Sequence, residues 1–133
     1  MKPDVLVIES ELTAFALADR RLRDQFHLTW APSLEAAESM LSRLHFDVVL
    51  ARADDDAHVG FIARLVQEWP DVPIVAIAPW EVQGDRAVEC GAREWVSAPI
   101  NFPRLAAVLD FVVVERRREE HHALPSPPRG IHV

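Results

Sequence analysis

Two polar clusters in this sequence stand where chemistry could be done: Glu9-Ser10-Glu11, and Arg52 followed by Asp54-Asp55-Asp56. Each directly follows a short apolar run, DVLVI before the first and FDVVLA before the second. If the second strand end is a catalytic position, residue 52 decides whether chemistry is possible there. An arginine cannot be the nucleophile, because its guanidinium stays protonated at neutral pH. Other combinations offer less. The single cysteine, Cys90, allows no internal disulfide and no CxxC pair, and reads as a small apolar residue buried near a helix end. His121-His122 lack cysteine or carboxylate partners at metal spacing. No Gly-rich phosphate loop follows the first apolar run, where ESELTA stands, and no Ser-His-Asp arrangement can be placed.

The elements that must position these residues follow from the apolar pattern. DVLVI (4–8), HLTWA (27–31), FDVVLAR (46–52), PIVAIA (73–78) and EWVS (94–97) read as short buried strands. Between them lie amphipathic segments. The first spans 11–25, with Leu12, Phe15, Ala16, Asp19 and Leu22 on one face. Ser33 caps a helix running through Leu44, with Ala36 where a capping box would carry Glu. A third helix covers 59–69 and stops before Pro70. A short fourth covers 84–90 with Gly91 as its C-terminal cap, and a last helix opens at Pro103. Strict alternation of near-continuous apolar strands with helices predicts an α/β fold: a five-stranded, doubly wound parallel sheet in a three-layer sandwich. In such folds the working site lies at the carboxyl ends of the strands.

The length of 133 residues fits one domain, expected over 1–121, with a proline-rich tail or linker over 122–133. A net charge of −7 argues against direct nucleic-acid binding, and the basic run Arg116–Arg118 is flanked by Glu115, Glu119 and Glu120. The amino-terminal segment lacks a signal-peptide pattern, and no apolar run approaches membrane-spanning length, so a cytoplasmic protein is expected.

From about Asp4 to Glu115 the chain resembles the receiver (CheY-like) domain of two-component response regulators. FDVVLAR with Gly60 resembles that family's third strand and the glycine opening the next helix. VPIVAIAP resembles the fourth strand, CGAREWVSAPI the GA–aromatic–KP segment, and APSLEAAESML the entry to the second helix. The resemblance implies phosphoryl transfer from a histidine kinase to an aspartate on the third strand, with an acidic pair holding Mg²⁺. It also implies a lysine that contacts the phosphate and a Thr or Ser that reports it.

Carried over position by position, that pocket is degenerate. The acidic pair falls on Glu9 and Ser10, the phosphoacceptor on Arg52, the hydroxyl on Ala78 and the lysine on Ala98; Pro99 is kept and is expected to follow a cis peptide. Alanine offers neither a hydroxyl nor a charge at these places. A pseudo-receiver follows, with no cofactor or metal, no enzymatic activity, and a signalling role independent of phosphorylation. Arg52 would either pair with Glu9, and with Glu11 or Asp54, in place of the metal, or point into solvent. The aspartates would form a solvated acidic loop, against the alternative of a displaced phosphoacceptor at Asp54. A further alternative is a small-ligand sensor in the emptied pocket between Glu9, Arg52 and Ala98.

Function then moves to surfaces. The resemblance implies a protein partner or self-association through the face of the fourth helix, fifth strand and fifth helix. Trp95, Arg86, Glu89 and Arg93 are assigned to that face, and Trp80 stands as an exposed contact residue beside the pocket. Trp95 falls on the family's switch aromatic, where Ala78 leaves room for the indole to stay inside. An output domain following the tail would fit the same family.

Overall fold

Five strands alternate with five helices in the structure, a computed structural model that describes residues 1–123. In chain order they are β1 (Asp4–Ile8), α1 (Leu12–Leu22), β2 (His27–Ala31), α2 (Leu34–Leu41), β3 (Val48–Arg52), α3 (Asp56–Glu68), β4 (Ile74–Ala78), α4 (Glu81–Glu89), β5 (Glu94–Ser97) and α5 (Phe102–Ala123). The strands form one parallel sheet in the order β2-β1-β3-β4-β5. Strand order switches at β1 and β3, with β2 laid down on one side of β1 and β3 to β5 on the other, so the crevice of an open α/β sheet falls where β1 and β3 end.

Period-two alternation divides the apolar side chains between two cores. Val5, Val7, Val48, Leu50, Val75, Ile77 and Val96 pack with Leu22 of α1 and Leu105, Leu109 and Val112 of α5. Leu6, Val49, Ala51, Ile74, Ala76 and Ala78 pack on the opposite face with Ala37, Ile62, Leu65 and Ala87 from α2, α3 and α4. Both faces of the sheet are covered, which is why β4, and β3 up to Arg52, are apolar rather than alternating.

The boundaries depart from the sequence reading in ways that have local causes. α3 begins at Asp56, three residues earlier than expected, because Asp55 caps it by accepting the His58 N–H at 2.9 Å. Gly60 is consequently an exposed residue inside α3 and opens nothing. α4 begins at Glu81 rather than at Gly84. Ser33 caps α2 as its type predicts, but that helix ends at Leu41. On α1 the buried stripe is Ala18 and Leu22 with Phe15 beside them, while Leu12 and Ala16 face outward. Cys90 is exposed at the end of α4, a correction to its expected burial, and Gly91 has φ 117°, the left-handed conformation that suits glycine after a helix.

α5 runs to Ala123, past the boundary expected at residue 121, and the remainder of the proline-rich tail lies outside the described residues. Arg116, four residues before Glu120 on α5, has the spacing of a surface ion pair, yet it is buried at 9 % exposure. Its Nη1 donates to the carbonyls of Phe46 at 2.8 Å and Asp47 at 3.2 Å, where the chain enters β3. Its Nε lies 3.1 Å from Glu120 Oε2 without the alignment of a hydrogen bond. α5 is thereby fastened to the amino-terminal end of the central strand.

Candidate functional site

Arg52 is the last residue of β3 and stands beside the end of β1. Its Nε–H donates to Asp54 Oδ2 at 2.8 Å, and its Nη1 lies 3.7 Å from Glu9 Oε1. The Glu9 side chain is only 12 % exposed and also accepts the Glu11 N–H at 3.1 Å. The hydrogen bond to Asp54 is the main cause that raises the pKa of Arg52; burial works against it, and the charges of Asp54 and Glu9 add to it. A single guanidinium thus neutralises carboxylates from two different strand ends.

Of the three aspartates, Asp55 and Asp56 are exposed, whereas Asp54 is part-buried. Asp54 is held on several sides: its N–H donates to His58 Nδ1 at 3.2 Å, and its carbonyl accepts from Gln83 Nε2 of α4 at 3.4 Å. Its Oδ1 is buried and has no hydrogen-bond partner among the described residues. Asp55 caps α3, and Asp56 in the first turn meets Arg86 Nη1 at 2.8 Å. His58 and Gln83 therefore belong to the site, although sequence reasoning passed over both. Asp55 at a strand-to-helix junction was a readable capping signal; nothing in the sequence reported the contacts of His58 with Asp54 or of Gln83 from α4.

The remaining positions fall at neighbouring strand ends. Ala78 is fully buried and its carbonyl accepts the Ala98 N–H at 2.9 Å. Ala98 is packed against the core on the α1 and α5 side, the Ala98–Pro99 peptide is cis, and Ser10 is exposed. A cleft of about 470 Å³ opens beside Arg52. Glu9, Ser10, Glu11, Arg52, Asp54 and His58 line its polar side, and Leu34, Phe61, Ile62 and Leu65 its apolar side. The sequence reading set the pocket between Glu9, Arg52 and Ala98. The cleft instead opens toward α2 and α3, and neither Ala78 nor Ala98 lines it. Among the described residues no group of three His, Cys, Asp or Glu side chains is arranged to hold a metal ion.

The expected interaction residues do not share one face. Trp95 is half-buried on β5 and its indole lies against Gly84 of α4, where any Cβ would overlap the ring. Arg93 pairs with Glu119 of α5 at 3.4 Å, and Glu89 is exposed. Arg86 reaches α3 through Asp56, away from β5 and α5. Trp80 is 63 % exposed immediately before α4 and does not line the cleft. Among the described residues no helix is long and apolar enough to cross a membrane.

Alternating helices on both faces of a parallel 2-1-3-4-5 sheet define a flavodoxin-like α/β protein. Within that class the chain has the fold of response-regulator receiver (CheY-like) domains. No protein-family model matches the sequence, and no curated protein matches it. The fold matches the receiver domain of the Francisella response regulator 1452 with a TM-score of 0.77 at 12 % identity, over 86 % of this chain and 98 % of that one. It matches a response regulator from Thermotoga maritima with a TM-score of 0.77 at 20 % identity, over 86 % and 99 %. NtrX from Brucella abortus, in a complex with ADP, matches with a TM-score of 0.87 at 17 % identity, over 98 % of this chain but 30 % of that longer one.

Proposed function

We propose that this chain is a signalling module of the two-component type that works without phosphorylation, through contacts with a protein partner or with itself. The observation behind this reading is the ion pairing of Arg52 with Asp54 and Glu9. In the receiver pattern the third strand ends in the carboxylate that accepts phosphate; here it ends in a cation that is already paired. Alanine at 78 and 98 supplies neither the hydroxyl that would report a phosphate nor the charge that would hold one. Asp54 does not substitute for the missing acceptor in this account, because its Oδ2 is engaged by Arg52 and its Oδ1 is buried.

Signalling then falls to surfaces. Trp80 and the half-buried Trp95 are the aromatic residues of the proposed contact region, with the exposed Arg93 and Glu89 as its charged ones. In NtrX the matching fold is under a third of the chain, and a similar connection to an output domain suits the long α5. Light scattering and pull-down, with and without acetyl phosphate and Mg²⁺, test this reading. Association is expected to be the same in both conditions and to be weakened by Trp80→Ala or Trp95→Ala. Association that appears only with the phosphodonor would overturn it.

A further inference from the structure

We propose that the outer face of α5 is a self-complementary seam, on which a second copy of this chain packs with its own α5 antiparallel. Arg104, Ala107, Phe111, Val114 and Arg118 recur at alternating steps of three and four residues, the spacing of a two-stranded helical seam. All five are exposed, and at the centre Phe111 and Val114 leave 53 % and 43 % of their surface uncovered. The opposite stripe of the same helix, Leu105, Leu109, Val112 and Val113, already fills the core. α5 is therefore apolar on two faces, and only one of them is covered. Beside the outer stripe lies a shallow groove lined by Arg104, Ala107, Val108 and Phe111, with Glu94 of β5 along it. Four helix residues so spaced form the hole that receives one side chain from a facing helix.

Charge identifies the occupant and its direction. With Phe111 opposite Val114 of the second copy, an antiparallel pair brings Asp110 to Arg117 of that copy. It also lays the stem of Arg118 over Ala107 and the groove, with its guanidinium toward Glu94. Two-fold symmetry makes each of these contacts twice. Among the described residues Glu94, Asp110 and Arg118 have no ion-pair partner, and Arg117 has only Asp47 at 4.0 Å. A parallel pair would instead set Arg104 and Arg118 against their own copies and Asp110 near Glu115, all like charges. Exposed ion pairs add little affinity but select the arrangement, while the apolar centre supplies the attraction. The exposed residues 117–120, beyond the last buried one, Arg116, would lie alongside the amino-terminal half of the other helix. The seam gives the self-contact proposed above a surface, and to that extent rests on that reading. Trp95 packs with α4 on the other face of the sheet, so the seam does not depend on it.

The test is sedimentation velocity of the full chain over a range of concentrations, without and with acetyl phosphate and Mg²⁺. A reversible dimer is expected in both conditions. Phe111→Glu, at an exposed position, should weaken it about tenfold or more, the factor that about 1.4 kcal/mol represents, with an unchanged circular dichroism spectrum. Asp110→Arg should weaken it too, because two cations then meet, and adding Arg117→Asp in the same chain should restore it. A parallel pair predicts the reverse, with Asp110→Arg strengthening the dimer through Glu115. A monomer at every concentration, a dimer that Phe111→Glu leaves intact, or one that Asp110→Arg strengthens would each overturn the seam. The first two of these leave the proposed function standing on its other contact region. A dimer that forms only with the phosphodonor and is lost in Phe111→Glu would uphold the seam and overturn the phosphorylation-independent reading instead.

Discussion

Arg52 Nε and Asp54 Oδ2 stand 2.8 Å apart, so the residue that ends the central strand neutralises a carboxylate two positions further on. The same guanidinium reaches Glu9 across the crevice between β1 and β3. Substituting Arg52→Ala leaves Glu9 and Asp54 as neighbouring like charges. The Arg52 side chain is 38 % exposed, so screening keeps the expected loss near about 1 kcal/mol. Urea denaturation of Arg52→Ala, Asp54→Ala and the double variant measures it. The two single losses are expected to sum to more than the loss in the double variant.

The pH dependence of this interaction follows from the raised pKa of Arg52. A cation whose pKa is higher folded than unfolded contributes its full stabilisation below the unfolded pKa and loses it only as pH rises through the folded one. Both values lie far above neutrality. The stability difference between wild type and Arg52→Ala is therefore expected to stay flat across the neutral range and to narrow only in strong alkali. Denaturation midpoints collected at several pH values check it.

Arg116 has the larger structural role. Removing its guanidinium with Arg116→Met would leave the Phe46 carbonyl and the buried hydrogen-bonding surface around it without a donor. A loss of roughly 1.5–3 kcal/mol is expected, the range for hydrogen bonds to charged groups. Arg116→Lys should recover only part, since the shorter side chain brings its ammonium less close to the two carbonyls that Nη1 reaches and gives up the approach of Nε to Glu120. Denaturation reads the stability, and hydrogen exchange at the start of β3 reads the local opening.

Two glycines give opposite expectations. Gly60 lies in α3 with negative φ, and a Cβ there would meet nothing within 4 Å. Gly60→Ala should stabilise the protein by about 0.5–1 kcal/mol, chiefly by restricting the unfolded chain. At Gly84 a Cβ would overlap the Trp95 indole. Gly84→Ala should cost about 1–3 kcal/mol through overpacking and shift tryptophan emission to longer wavelength as the indole moves outward. Thermal denaturation and fluorescence of the two variants test the pair of expectations together.

The sheet and its helices were legible because the inner strands are covered on both faces and read as nearly continuous apolar runs, while each helix shows its own period. The strand ends were legible for the same reason: Glu9, Arg52 and Ala98 directly follow short strand runs, and Ala78 closes one. What the sequence hid was where side chains reach once off the regular elements. Asp55 could have been read as a cap, yet the run of three aspartates looked like a solvated loop. The polar length of Arg116 suggested the surface, whereas its planar head finds two carbonyls 70 and 69 residues away in the chain. The cleft depends on how α2 and α3 diverge from the end of the sheet, which no spacing along the chain reports.

The most direct test of the account is the intact mass of the protein after incubation with acetyl phosphate and Mg²⁺. With a paired arginine at the end of β3 and alanines at 78 and 98, the mass is expected to be unchanged, and Asp54→Asn should behave as wild type does. A stable adduct of one phosphoryl group, present in the wild type and absent in Asp54→Asn, would contradict the account and return the chain to the phosphorylated receivers.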